Sequence, residues 1–268
     1  MKPLFNLLFI AGLSAGGIAA RAQSTLYGVT FFDNQLISID QTTGAGTLIG
    51  PLGTSSPFGI ANRFGKLYTF SPSNSHVQEI NPANGQVNSS ISIGLGPVQG
   101  EGDIAFRPDG IGFLSSALDS NLNPVNDVYS FDITTGTSTR LGSSSVAIDG
   151  LAFDGNTLYA LGQGDGRLFT VNQSNGSLSP VGSLGVDQNS PVAGLTVGQN
   201  GALFGAIDDR LYRIDKLTGA ASPVDASVLD FGFSSVSGLA ATSVPEPGTW
   251  ALISVGLAAL GFCRRKRS

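Results

Sequence analysis

Cysteine and histidine are almost absent from this 268-residue chain, each occurring once, as Cys263 and His76. Cys263 lies five residues before the C-terminal Ser268, so the rest of the chain forms no internal disulfide and depends on its core alone. Zinc or copper ligation of the usual His/Cys kind is excluded by count. A Ser-His-Asp unit would have to recruit His76, and no nucleophile motif stands near it; a solvated loop histidine is the simpler reading. Charge is also scarce, at 12% of residues. Six of the 14 basic residues sit in the two ends, whereas all 19 acidic residues lie between Gln23 and Glu246. That segment therefore carries about −11 at neutral pH, which repels nucleic acid and anionic lipid and makes nucleic acid an unexpected partner.

What is present falls into three parts, with boundaries expected at 1–22, 23–242 and 243–268. Lys2, an apolar run from Leu4 to Ile18, and the small-x-small pattern Ala20-Arg21-Ala22 predict a signal peptide over residues 1–22. The expected mature chain starts at Gln23 and leaves by the Sec pathway. At the other end, Val244-Pro245-Glu246-Pro247 is followed by Trp250, a short apolar run from Ala251 to Phe262, and Arg264-Arg265-Lys266-Arg267. The prolines keep Glu246 extended and open to a protease. The apolar run predicts a short transmembrane segment, with the four cationic residues on the cytoplasmic side.

In this order, at the extreme C-terminus, these residues resemble the PEP-CTERM sorting signal of exported proteins in Gram-negative bacteria. The resemblance implies recognition by a membrane-embedded exosortase, a transient stay in the inner membrane, and cleavage near Pro245-Glu246-Pro247. It also implies a final place at the cell surface or outside it, in a setting of exopolysaccharide and biofilm. Other hydrophobic tails are likewise removed during sorting.

The middle part repeats. Asp40 to Gly44, Asn81 to Gly85, Asp132 to Gly136, Asn172 to Gly176 and Asp215 to Gly219 share an Asx-x-x-x-Gly pattern, spaced 41, 51, 40 and 43 residues apart. Asp or Asn accepts backbone hydrogen bonds at the start of a turn and Gly closes it, so each marks a β-hairpin. The long spacing is accounted for by an insertion at 117–126. A second pattern keeps step: Gly59-Ile60-Ala61, Gly102-Asp103-Ile104-Ala105-Phe106, Gly150-Leu151-Ala152-Phe153, Gly194-Leu195-Thr196-Val197 and Gly238-Leu239-Ala240. Leu-Tyr-like strands follow four of these, and Leu26-Tyr27 opens the mature chain. Four short strands per unit of roughly 40–45 residues is the arithmetic of a propeller blade. The chain starts on a second strand and stops after a lone first strand, so residues 238–242 are expected to complete the blade begun at Leu26. The fold expected is all-β: a five-bladed β-propeller closed by a C-terminal strand, resembling bacterial extracellular β-propellers. An open solenoid or a two-sheet sandwich remains the alternative.

Carboxylates are the one chemical reagent left. Propeller geometry puts Glu101, Asp103 and Asp149 near the axis on one face, ringed by Asp33, Asp119, Asp127, Asp165, Asp208 and Asp209. Paired carboxylates there suit glycosidase acid/base work or Ca²⁺ held by hard oxygens. The ordinary alternative is that acidic loops keep an exported protein soluble. The segment from Gly162 to Gly166 looks like a phosphate or Ca²⁺ loop, but it falls where a turn is required and no helix follows. The expectation from sequence is a non-enzymatic binding or structural body without cofactor, with extracellular polysaccharide as its partner. A carboxylate-dependent polysaccharide hydrolase or lyase is the alternative, and Ca²⁺ is the one ion the acidic face would suit.

Overall fold

The Asx-Gly turns form as their chemistry dictates. In the first, Asp40 Oδ1 accepts from the amides of Thr42 and Thr43 at 2.7 and 3.0 Å, and the Gly44 amide donates to Asp40 O at 2.7 Å. Gly44 has φ = +79°, a conformation that costs glycine little and other residues more. Asp215 repeats the arrangement with Leu217, Thr218 and Gly219.

These turns punctuate five antiparallel sheets in a computed structural model that describes residues 25–242 except 55, 188–192, 199 and 226–230. From the inside outward, blade one is Val236–Thr242, Thr25–Thr30, Gln35–Ile39 and Gly46–Pro51. Blade two is Phe58–Arg63, Lys66–Ser71, His76–Ile80 and Val87–Ser92. Blade three is Ile104–Phe106, Gly112–Asp119, Pro124–Asp132 and Thr137–Ser143, with Val98–Gln99 on the far end of Gly112–Asp119. Blade four is Ile148–Asp154, Thr157–Gly162, Arg167–Val171 and Leu178–Ser183; blade five is Ala193–Val197, Leu203–Ile207, Arg210–Ile214 and Ala221–Pro223.

The sheets form a ring, because the innermost strands touch in the order one, two, three, four, five and back to one. This is a five-bladed β-propeller, with no helix among the described residues. Closure runs through the last strand, where Leu26 pairs with Ala241, Gly28 with Leu239 and Val29 with Gly238. That strand begins at Val236, two residues before the expected start. The insertion at 117–126 lengthens the hairpin between Gly112–Asp119 and Pro124–Asp132, with Asp119 accepting from the amides of Asn121 and Asn123 in its turn.

The hydrophobic core lies between blades, not on the axis. Five clusters each draw on two adjacent blades; Leu26, Ile37, Phe204, Leu211 and Leu239, for example, join blades five and one. Alternation along each strand explains this, since inward-facing apolar residues on both sides of a twisted sheet need a neighbouring sheet to cover them. The expected signal peptide at 1–22, and the sorting and transmembrane tail at 243–268, lie outside the described residues.

Candidate functional site

Glu101 sits where the innermost strand of blade three is interrupted. Between Val98–Gln99 and Ile104–Phe106 the chain still bonds to the neighbouring strand: the Ala117 amide donates to Glu101 O at 2.9 Å and the Ser115 amide to Asp103 O at 3.0 Å. Gly102 permits this close path, since a Cβ there would lie 2.0 Å from Ser115 O. The detour turns the Glu101 side chain, half-buried, into the floor of an open cleft of about 600 Å³. Blades one, two and three wall the cleft through Phe31, Ser56, Pro72, Ser73, Pro97 and Val98. Phe31 is held by its amide, which donates to Ser235 O at 2.9 Å, and by an edge contact with Phe32.

Glu101 and Phe31 also border a narrow chamber, with no room for a water molecule, shared with Gly102, Asp149, Ala193 and Ser237. Two carboxyl groups therefore meet here. Burial raises Glu101 to about 7 against the opposing effect of Gln163, whose Nε2 donates to Glu101 Oε2 at 2.6 Å. Asp149 is 2% exposed, and burial together with the charge of Glu101 pushes it up to about 9. Removing a carboxylate from water disfavours its charge, and a second carboxylate nearby disfavours it further. Ser237 Oγ is buried in the same chamber with no hydrogen-bond partner.

Asp103 lines neither of these spaces, although the charge of Asp149 reaches it. It is fully buried on the axis, where Oδ1 accepts from the Ile104 amide at 2.8 Å and Oδ2 from the Leu151 amide at 2.7 Å. Burial raises its pKa, with the backbone donors opposing and the charge of Asp149 raising it further. Among the described residues no group of three or more Asp, Glu, His or Cys side chains is arranged to hold a metal ion.

The outer carboxylates do not join the site either. Asp127 is buried beside Arg140, whose Nε donates at 2.7 Å; burial opposes its charge, yet hydrogen bonds from Arg140, Ser143 and Tyr129 bring the net shift down. Asp165 faces Arg167 at 3.9 Å, and Asp208 and Asp209 form a turn with φ of +47° and +60°. His76 opens the third strand of blade two instead of sitting in a loop, with Nδ1 3.0 Å from Ser90 Oγ. Three contributors escaped the reading of the sequence: Phe31, Gln163 and Ser237. Ser237 was the most findable, because it precedes ring residue Gly238 as Asp149 precedes Gly150.

Residues 243–267 match the PEP-CTERM protein-sorting motif. The PEP-CTERM match marks the chain as an exported protein sorted by an exosortase, bound for the cell surface or the exterior. It takes in Val244, Pro245, Glu246, Pro247 and the cluster Arg264, Arg265, Lys266 and Arg267. No curated protein matches the chain. Among solved structures, a gluconolactonase of Xanthomonas campestris is similar over 75% of each chain, with a TM-score of 0.51 and 14% identity. The likeness shows a shared fold. It also corrects the expectation of a non-enzymatic body, since this type of propeller scaffolds an enzyme elsewhere. Glu101 and Asp149 are also not solvated loop acids: Asp149 is 2% exposed, and burial raises both carboxyls.

Proposed function

We propose that the PEP-CTERM propeller is an exported hydrolase or lyase of extracellular polysaccharide, with Glu101 as its proton-transfer group. The observation that carries this reading is the placement of Glu101, held up to about 7 at the floor of an open 600 Å³ cleft with Asp149 directly behind it. A proton-transfer group works best when its pKa lies near the working pH, and two carboxyls with separated pKa values provide a base and an acid together. Between about 7 and about 9 Glu101 is ionised and Asp149 protonated. Glu101 takes a proton from water or substrate at Oε1 or Oε2 and returns it to the departing oxygen, Gln163 orients that carboxylate, and the Asp149 proton keeps the pair from carrying two charges. Phe31 offers an apolar wall for a sugar ring at the inner end of the cleft.

The delivery route belongs to the same proposal. Residues 1–22 direct Sec export, the apolar run to Phe262 holds the chain briefly in the inner membrane of a Gram-negative cell, and cutting near Pro245-Glu246-Pro247 sends the body to the exopolysaccharide matrix. The test is a panel of bacterial exopolysaccharides and sugar lactones incubated with the purified protein and read for new reducing ends, unsaturated ends and acid release. Turnover by the wild type that Glu101→Gln abolishes supports the reading; no turnover of any member by correctly folded protein counts against it.

A further inference from the structure

Blade three breaks its own repeat at the axis. Where the innermost strands meet, four blades carry Gly59, Gly150, Gly194 and Gly238, and blade three carries Asp103. The register is unambiguous: Ile104 and Ala105 pair with Leu114 and Phe113 as Leu151 and Ala152 pair with Ala160 and Tyr159. The close strands leave little room at these glycines: a Cβ at Gly238 would lie 2.4 Å from Gly59 Cα, one at Gly194 2.7 Å from Gly238 Cα, and one at Gly150 3.0 Å from Leu195 Cβ. Into this ring of bare backbone Asp103 sends a carboxyl group that crosses the axis. A Cβ at Gly59 would fall 1.5 Å from its Oδ1.

The carboxyl group ties blades together. Besides the amides of Ile104 and Leu151, that of Leu195 in blade five donates to it. A parallel tie runs from the Asp103 amide to Ser115 Oγ at 2.9 Å and on from Ser115 Oγ to Ile148 O at 3.1 Å. Glu101 lies two residues before Asp103, and Asp149 two residues before Leu151. The 2.7 Å bond from the Leu151 amide to Asp103 therefore joins the two segments that carry the acids, at the same offset on each.

We propose that Asp103 is a positioning residue, the axial clasp that holds the strand of Glu101 against that of Asp149 and keeps water from between them. The inference rests on the acid–base reading of that pair and adds the element that sets its geometry. Asp103 touches no substrate, being buried outside both cleft and chamber. The titratable group whose charge acts on it is Asp149; its other neighbours are the amides of Ile104, Leu151 and Leu195 and the backbone of Gly59, none of which titrates in this range. Water entering between parted strands would solvate the Glu101 carboxylate and return its pKa toward the ordinary value.

The chain contains only three glutamates, Glu79, Glu101 and Glu246, so carboxyl ¹³C labelling of glutamate gives three signals, with Glu101 identified by its loss in Glu101→Gln. The full chain is titrated in mild detergent as wild type, Asp103→Asn and Asp103→Gly. The wild-type Glu101 midpoint is expected near 7, falling by about one unit or more in both variants, toward the ordinary glutamate range. Ser115→Ala, which cuts only the parallel tie, is expected to move it the same way by less, and serves if the Asp103 variants do not fold. An unchanged or higher midpoint in every folded variant overturns the proposal. A wild-type midpoint in the ordinary glutamate range instead overturns the acid–base reading beneath it, so the two failures are distinguishable.

Discussion

Replacing Leu239 by alanine tests whether the last strand closes the ring. Leu239 is 1% exposed and packs between blades five and one with Leu26, Ile37, Phe204 and Leu211. Leu151, its counterpart in blade four, is 2% exposed in the cluster between blades three and four. Truncating a buried leucine costs about 2–5 kcal/mol through lost transfer energy and the cavity left behind. For a domain of this size each kcal/mol lowers the melting temperature by about 2–4 °C, so either substitution is expected to cost about 4–20 °C. The two should agree, because a closed ring has no end blade and every innermost strand is equally locked. Leu217→Ala, at a side chain 89% exposed, is the control and should leave the melting temperature unchanged. Thermal unfolding followed by circular dichroism reads all three. A drop for Leu151→Ala with none for Leu239→Ala would mean that the last strand detaches freely, and the ring would be refuted.

Gly238→Ala forces a methyl group to 2.4 Å from the Gly59 backbone and should destabilise more than Leu239→Ala, or prevent folding, as read by soluble yield and melting temperature. Asp149→Asn should grow more stable relative to wild type as pH rises. The raised native pKa of Asp149 means the folded state keeps a proton that the unfolded chain loses, so this group's stability contribution falls from about pH 4 up to about pH 9, and the amide removes that loss. A pH-independent difference in urea midpoint between the two would contradict the burial argument. Mass spectrometry of the protein exported from a host with an exosortase should show a chain starting at Gln23 and ending near Pro245-Glu246-Pro247. A chain still ending at Ser268 would refute removal of the tail, and replacing that tripeptide by alanines should block the cut.

Most of the architecture was legible because a propeller writes its period into the chain. The Asx-Gly turns recur since each blade needs the same corner, and the ring glycines recur since five backbones converge on one axis. The closing strand was legible from the unpaired Leu26-Tyr27 at one end and Gly238-Leu239-Ala240 at the other. The site was legible in part. Loop position near the axis singled out Glu101 and Asp149, but it grouped Asp103 with them. The strand register, which aligns Asp103 and not the expected Gly102 with Gly150, separates it, as a side chain inside the ring of backbones instead of above it. Phe31 and Gln163 were not legible, because their approach to Glu101 depends on how loops from blades one and four lie over blade three. No local period encodes that. The protonation of the pair was hidden for the same reason, since it follows from burial created by three blades at once.

The central claim, that Glu101 and Asp149 work as a coupled acid and base, is tested most directly by the pH dependence of kcat/KM on whichever saccharide or lactone the protein turns over. The account predicts a bell with limbs near 7 and 9, belonging to the pair as a whole, that collapses in Glu101→Gln and loses its alkaline limb in Asp149→Asn. A profile flat from pH 5 to 10, or one unchanged by Glu101→Gln, would contradict it.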